Sequence, residues 1–184
     1  MSSKFSRLDF LRFSALGAST LFIPRALTAA EAPKKAKKGD VNDKINIGFI
    51  GLGQQAIHLV NGFLTIPEVR VIAGCDIYDI KRNRFIERVN KYYSEKGIKN
   101  KLDMYIKYEE LLAREDIDAV VIATPDHWHA AIAIAACKAG KDVYLEKPLT
   151  FTVYEGQRLI EAVRANNRIL QVGSMQRSMA EFIH

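Results

Sequence analysis

The feature that most constrains the fold is a pattern of small residues between an apolar run and an amphipathic one. Residues 47–56 read Ile-Gly-Phe-Ile-Gly-Leu-Gly-Gln-Gln-Ala, so Gly51, Gly53 and Ala56 form a Gly-x-Gly-x-x-Ala element. The first glycine permits a tight turn, the second lets the backbone approach a ligand, and the small third residue lets a helix pack closely on the strand. The free N–H groups at the start of such a helix favour a phosphate. The pattern therefore predicts a strand, a phosphate-binding loop and a helix, in that order.

The rest of the chain alternates between short β-branched runs and amphipathic stretches. This alternation is typical of a parallel sheet flanked by helices. The predicted strands are 45–50, 69–75, about 104–106, 119–123, 143–146 and 169–172. The predicted helices are 55–63, 79–94, 108–113, 128–139 and 152–165. Gly97 and Gly140 are placed as helix stop signals. The expected fold class is α/β, a doubly wound parallel sheet of the Rossmann type, over residues 45–172.

The positive charge is concentrated near the N-terminus. The formal net charge of the 184 residues is +6, but residues 1–44 hold nine Lys and Arg against four Asp and Glu. The remaining residues are close to neutral, so they lack the basic face that binds DNA or RNA. We therefore exclude nucleic acid as a partner.

The first 32 residues are predicted to be an export signal. Basic residues precede an apolar run at 13–23, and small residues follow it. The run is too short for a stable membrane anchor. Residues 6–12 resemble a twin-arginine signal, except that Leu8 replaces the second arginine. Residues 33–44, rich in Ala and Lys, are predicted to be a solvated linker. The expected location is periplasmic or otherwise exported, and the alternative is an uncleaved extension on a cytoplasmic protein.

A carboxylate follows the second predicted strand. Asp76 stands where dinucleotide-binding folds use an acid to accept hydrogen bonds from the adenosine ribose hydroxyls. The same carboxylate repels the additional phosphate of NADP, so the expected cofactor is NAD, with NADP less favoured. Lys81 and Arg82 are close enough in sequence to complicate this choice, but the favoured interpretation is that they only form the solvated first turn of the next helix.

Polar and aromatic residues follow the fourth predicted strand, at the edge where open α/β sheets bind ligands. Thr124 and Pro125 begin this segment, and Trp128 and His129 end it. The expected role of Trp128 and His129 is contact with the nicotinamide and its ribose. His127 and His129 are not expected to form a metal site, because side chains two positions apart on a helix project about 200° apart. The alternative is simple capping and packing.

The fifth predicted strand ends in Glu146-Lys147-Pro148. A lysine at this sheet edge, beside a carboxylate, can move a proton or stabilise an alkoxide as a neighbouring carbon is oxidised. Lys147 is therefore the predicted catalytic residue.

Together, the Gly-x-Gly-x-x-Ala element, Thr124-Pro125-x-x-x-His129 and Glu146-Lys147-Pro148 resemble the Gfo/Idh/MocA oxidoreductase family. The resemblance implies that Lys147 lies at the nicotinamide and the substrate, and that His129 and the Thr124-Pro125 turn line the cofactor site. Many relatives have asparagine and leucine where this chain has Asp126 and Trp128. The complete set of predicted cofactor-binding residues is Gly51, Gly53, Gln54, Gln55, Ala56, Asp76, Thr124, Pro125, Trp128, His129 and Glu146.

Members of this family continue into a second α/β domain that supplies most of the sugar contacts. We expect residues 173–184 to be the start of that domain, most of which is absent from this chain, and any homo-oligomer to form through it. The chain alone is then expected to bind the cofactor better than it catalyses. The resemblance leaves three interpretations: a sugar-acting or glycoside-acting enzyme that retains NAD and is redox-neutral overall, an ordinary NAD-dependent sugar or polyol dehydrogenase, and a dinucleotide-binding module without chemistry.

Overall fold

The computed structural model describes residues 44–179. The predicted export signal and all of the predicted linker except Lys44 lie outside these residues, as does the end of the 173–184 segment. The sheet contains six strands: β1 (Ile45–Ile50), β2 (Val69–Cys75), β3 (Asp103–Tyr105), β4 (Ala119–Ile122), β5 (Asp142–Leu145) and β6 (Leu170–Val172).

Five helices connect the strands of the sheet. They are α1 (Gln54–Leu64), α2 (Asp79–Glu95), α3 (Tyr108–Leu112), α4 (His129–Lys138) and α5 (Val153–Ala165). Short 3-10 turns occupy Asp126–Trp128 and Met175–Ser178. Within residues 44–179, no helix is both long and apolar enough to cross a membrane.

The strand order is β3-β2-β1-β4-β5-β6, and every neighbouring pair is parallel. The order reverses between β1 and β4, which is the point where doubly wound sheets open a crevice at their carboxyl edge. The predicted fold class is therefore confirmed. The loops after β1, β2, β4 and β5 all leave the sheet at this edge, and they carry the residues that the sequence singled out.

Two apolar clusters form the core. One combines Phe49 of β1 with buried residues of α1 and α2, including Val60 and Phe85. The other combines Ile50 of β1 with buried residues of α3, α4 and α5. Neighbouring residues of β1 thus enter different clusters, as expected when successive side chains of a strand point to opposite faces of a sheet.

Helix ends follow local backbone rules in most places. Gly97 and Gly140 both adopt positive φ, 65° and 75°, after α2 and α4, which confirms them as stop signals. The fourth helix begins at His129 rather than at 128, because Asp126–Trp128 form a 3-10 turn first.

At the amino end of β5, Lys141 is buried, and its Nζ donates to the carbonyl oxygen of Ile117 at 2.9 Å. The same ammonium donates to the carbonyl oxygen of Arg114. Burial lowers the pKa of Lys141, against the raising effect of nearby acidic residues. This lysine therefore hydrogen-bonds loop carbonyl groups at the amino edge of the sheet, opposite the edge that carries the predicted site.

Candidate cofactor and active site

The first glycine of the loop is required by the backbone. Gly51 has φ of 81°, and its N–H donates to the carbonyl oxygen of Cys75 at 2.8 Å. A Cβ at this position would lie 2.7 Å from the carbonyl oxygen of Ala123 and 2.7 Å from the amide nitrogen of Thr124. Only glycine therefore fits where the loop passes between the ends of β2 and β4.

Gly53, in contrast, faces open space. A Cβ built there would meet nothing within 4 Å. Gly53 is also the N-cap of α1, where no side chain caps the helix and no acidic residue occupies the first turn. The first N–H groups of α1 are thus uncapped by side chains and lie beside a space that a side chain would fill. This arrangement suits a pyrophosphate. Gln54 is exposed at the start of α1, whereas Ala56 is fully buried and lets α1 approach the sheet.

The Asp76 carboxylate is hydrogen-bonded to the glycine loop. Its Oδ2 accepts the N–H of Leu52 at 2.8 Å, and its Oδ1 accepts the N–H of Tyr78 at 3.0 Å. Each carboxylate oxygen can accept a further hydrogen bond. The side chain therefore fixes the loop and retains acceptor capacity for ribose hydroxyls.

Asp76 lines a cavity of about 410 Å³ together with Gly51, Thr124, Pro125, Tyr78 and Trp128. We call this cavity the Asp76 pocket. Trp128 is 48% exposed and lies in this pocket. Trp128 thus lines the same pocket as Asp76, and its contact with the nicotinamide stays a prediction. The 3-10 turn before α4 carries the indole to this pocket.

Lys147 lines a second cavity of about 550 Å³, with Gln55, Glu146, Gly173 and Arg177 among its walls. We call this cavity the Lys147 pocket. The Lys147 side chain is exposed, and no hydrogen bond or ion pair engages its Nζ within residues 44–179. It is thus free to interact with a ligand.

Glu146 is buried beside Lys147, with 4% of its surface exposed. Its Oε1 accepts from Nε2 of Gln55 at 2.9 Å, and its Oε2 accepts the backbone N–H of Lys147 at 3.1 Å. A Cβ added at Gly173 would lie 2.8 Å from Oε1. The carboxylate therefore links the first turn of α1 to the backbone of Lys147, so both Gln55 and Glu146 position the site through this link.

His129 is 1% exposed, and both ring nitrogens face backbone carbonyl oxygens. Nδ1 lies 2.7 Å from the oxygen of Pro148, and Nε2 lies 3.0 Å from the oxygen of Thr124. Both ring nitrogens thus lie against the backbone, and the contact of His129 with the nicotinamide ribose stays a prediction. His129 ties the turn after β4 to the segment that follows Lys147.

The residues at this edge fit a nicotinamide dinucleotide. The Oγ1 of Thr124 is buried and has no hydrogen-bond partner within the described residues. Buried hydroxyls seldom remain unpaired, so this atom is suited to a ligand that enters the crevice. The open space at Gly53 and the remaining acceptor capacity of Asp76 point to the same ligand. No group of three or more His, Cys, Asp or Glu side chains that could hold a metal occurs among residues 44–179.

Several residues of the two pockets were not predicted from the sequence. Gly173 and Arg177 line the Lys147 pocket, and Tyr78 lines the Asp76 pocket. Lys81 also lines the Asp76 pocket, although the sequence favoured only a solvated position for it. A sequence signal existed for Gly173, because a glycine directly after a strand of a parallel sheet often marks a close approach.

Comparison with known proteins gives one family. Residues 45–174 match a family model described as "Oxidoreductase family, NAD-binding Rossmann fold". "Glycosyl hydrolase family 109 protein 2" of Shewanella sp. (strain ANA-3) is 32% identical over 177 residues, which is 90% of this chain and 38% of that protein. An "Alpha-N-acetylgalactosaminidase" of Shewanella oneidensis is 34% identical over 125 residues, or 67% of this chain and 27% of that protein. The chain thus spans less than half the length of these curated relatives.

Two solved structures are also similar. A 3-ketoreductase from Actinomadura kijaniata in complex with NADP and TDP-benzene superposes with a TM-score of 0.63 at 28% identity, covering 72% of this chain and 38% of that one. An NAD-binding protein from Listeria innocua gives a TM-score of 0.61 at 30% identity, covering 73% of this chain and 36% of that one.

Proposed function

This chain belongs to the Gfo/Idh/MocA family of NAD-binding oxidoreductases, and from that premise we propose that it is the cofactor-binding part of an NAD-dependent enzyme acting on a sugar or glycoside. The observation that carries the proposal is the link from Gln55 through Glu146 to the backbone of Lys147. This link connects α1, the helix proposed to bind the phosphates, to Lys147 at the carboxyl edge of the sheet.

In this proposal the adenosine half of the cofactor binds in the Asp76 pocket and the nicotinamide half binds in the Lys147 pocket. The uncapped N–H groups of α1 and the space at Gly53 receive the pyrophosphate. Asp76 accepts hydrogen bonds from the adenosine ribose, which favours NAD over NADP. The nicotinamide, when bound, supplies two-electron oxidation and reduction at the Lys147 pocket.

Lys147 is the proton-transfer group. Its exposed side chain lines the Lys147 pocket, while its backbone N–H donates to the buried Glu146 carboxylate. A rigid backbone with a free side chain lets Nζ give or take a proton at a substrate hydroxyl. Glu146, Gln55 and His129 are positioning residues in this proposal, because their polar side-chain atoms bind other parts of the protein.

The proposed turnover is redox-neutral. Two relatives carry the names of glycoside hydrolases, and hydrolysis of a glycosidic bond consumes water and leaves no net change of oxidation state. An enzyme that performs it with a nicotinamide must return that nicotinamide to its starting state in each cycle. The cofactor can then remain bound. An exported enzyme requires such retention, because we expect no free NAD pool outside the cytoplasm, and a twin-arginine signal would permit NAD to be loaded before export.

The test uses the complete open reading frame that contains this chain, purified without added cofactor. We expect bound NAD, and release of nitrophenol from p-nitrophenyl α-N-acetylgalactosaminide or a related aryl glycoside without absorbance from NADH. Lys147→Ala should lower turnover by about 100-fold and leave NAD affinity unchanged, since it removes an acid/base group. Lys138→Ala, an exposed lysine on α4, is the control. Unchanged turnover in Lys147→Ala would assign the proton transfer to another group.

An ordinary dehydrogenase is the second candidate, and the likeness to the 3-ketoreductase favours it. The two candidates differ in one measurement. An empty cofactor site in the isolated protein, with NADH accumulating when NAD and a sugar are added together, would select the dehydrogenase and reject redox-neutral turnover.

A further inference from the structure

Gly173 lies directly beside Glu146 at the carboxyl edge of the sheet. Leu145 and Val172 are partners in the parallel pairing of β5 with β6, and the N–H of Gly173 donates to the carbonyl oxygen of Leu145 at 2.7 Å. Glu146 and Gly173 therefore take the next positions of this pairing, where a side chain of either residue would stand on the same face of the sheet. Both residues are buried.

The Glu146 carboxylate uses the space that this glycine leaves. A Cβ added at Gly173 would lie 2.8 Å from Oε1 and 3.0 Å from Cδ of Glu146, and 3.1 Å from the hydroxyl oxygen of Tyr144. The Tyr144 ring packs edge-on against the ring of Phe63 on α1, with 5.5 Å between the centroids. The φ of Gly173 is not positive, so the absence of a side chain, and not the backbone conformation, is what this position requires.

The carboxylate cannot move away from a new side chain without weakening its own contacts. Its Oε1 accepts from Gln55, and its Oε2 accepts the backbone N–H of Lys147. Relief of a contact of 2.8 Å requires a shift of several tenths of an ångström, which lengthens one or both of these hydrogen bonds. Because Glu146 is buried, little water can replace a lost partner. The backbone of Lys147 would then lose the acceptor that holds it.

We propose that Gly173 is a positioning residue for Lys147. By having no side chain, it keeps the Glu146 carboxylate where one oxygen binds α1 and the other binds the Lys147 backbone. This rests on the proposed function, in which Lys147 moves a proton. A side chain at position 173 is accommodated by the fold, because the atoms nearest to it are the ends of side chains, but it displaces Glu146 and thereby loosens Lys147.

The first measurement follows the Lys147 amide in the chain itself, by hydrogen exchange detected with nuclear magnetic resonance. In Gly173→Ala we expect this amide to exchange about tenfold faster, as for loss of one hydrogen bond to a charged acceptor. The amides of Phe49 and Val60 in the core should keep their rates, which shows that the fold is intact. Gly62→Ala is the matched control, because a Cβ at Gly62 meets nothing within 4 Å, and it should leave the Lys147 amide unchanged.

The second measurement is turnover of the p-nitrophenyl glycoside by the complete protein. Gly173→Ala should lower kcat by about tenfold and change KM and NAD affinity by less than about twofold. Glu146→Ala removes the carboxylate that the new methyl group would displace. Adding Gly173→Ala to Glu146→Ala should therefore lower kcat by less than about twofold further. A role of Gly173 in the fold alone would not produce this dependence on Glu146.

The inference is overturned if Gly173→Ala leaves the exchange of the Lys147 amide unchanged, or if the losses from Gly173→Ala and Glu146→Ala multiply in the double variant. Lys147→Ala separates this inference from the proposed function. If Lys147→Ala lowers turnover and Gly173→Ala does not, the positioning role of Gly173 is rejected and the proposed function stands. If Lys147→Ala leaves turnover unchanged, the proposed function itself is contradicted.

Discussion

At the scale of single residues, three glycines serve the site in different ways. Gly51 is required by its backbone conformation, Gly53 leaves a space, and Gly173 allows the buried Glu146 carboxylate to pass close to the chain. The first two could be predicted from the sequence, because their partners lie within one local pattern. The partner of Gly173 is Glu146, which follows another strand, so only the folded structure identifies it.

Replacing Gly53 by valine should abolish NAD binding and leave the fold intact. A Cβ at this position meets no protein atom within 4 Å, so the protein accepts the branched side chain, which then occupies the space that the pyrophosphate needs. NAD titration and circular dichroism should therefore diverge. Gly62→Val is the control, since a Cβ at Gly62 on α1 also meets nothing within 4 Å and Gly62 lines neither pocket of the site. Undiminished NAD binding in Gly53→Val would show that the loop is misassigned.

At the scale of elements, the strands and helices were largely predictable because their patterns are local. β1 and β2 have the predicted bounds. The turn after β4 was not predictable to the same degree: Pro125 takes an extended conformation, and the next residues form a 3-10 turn before α4. That additional turn carries Trp128 to the Asp76 pocket. Its destination depends on how the ends of β2 and β4 lie together, which no local pattern encodes.

Helix α5 begins with a capping box that fixes the chain shortly after Lys147. The side chain of Thr152 accepts the N–H of Glu155 at 3.2 Å, and Glu155 accepts the N–H of Thr152 at 2.9 Å. Thr152→Ala should lower the free energy of unfolding by about 1 kcal/mol, because it removes an N-cap. Urea denaturation measures this. Thr65→Ala, which removes an exposed hydroxyl at the end of α1, should cost less than about 0.5 kcal/mol. Equal losses would mean that the cap contributes nothing specific.

At the scale of the whole molecule, the parallel sheet explains why the predicted residues meet. Every loop that leaves a strand at the carboxyl edge reaches the same crevice, so the sequence order of motifs was sufficient to predict a common site. Their division between two pockets was not predictable. Trp128 and Lys147 follow neighbouring strands, β4 and β5, yet they line different cavities.

Since both pockets and the glycine loop belong to one folded unit, cofactor binding should stabilise the chain as a whole. At a free NAD concentration 100 times the dissociation constant, the gain in stability is about 2.7 kcal/mol. A thermal melt with and without NAD should show this as a rise in Tm that grows with NAD concentration. Gly53→Val should melt at the same temperature in both conditions. A rise in that variant would place NAD elsewhere on the protein.

The buried Lys141 has a consequence for covalent chemistry. β5 carries a lysine beyond each of its ends, and only an amine that meets the reagent can be acylated. Lys141 is 6% exposed and held by two carbonyl oxygens, whereas Lys147 stands free in its pocket. Brief treatment with acetic anhydride, followed by peptide mass mapping, should modify Lys147 and spare Lys141. Once urea unfolds the chain, the two lysines should react alike. In the folded protein, bound NAD should protect Lys147 from acetylation. Early acetylation of Lys141 in the folded protein would mean that the amino edge of the sheet opens readily. These two lysines, six positions apart, therefore report on different properties: acetylation of Lys141 reports opening of the sheet, and protection of Lys147 reports occupancy of the cofactor site.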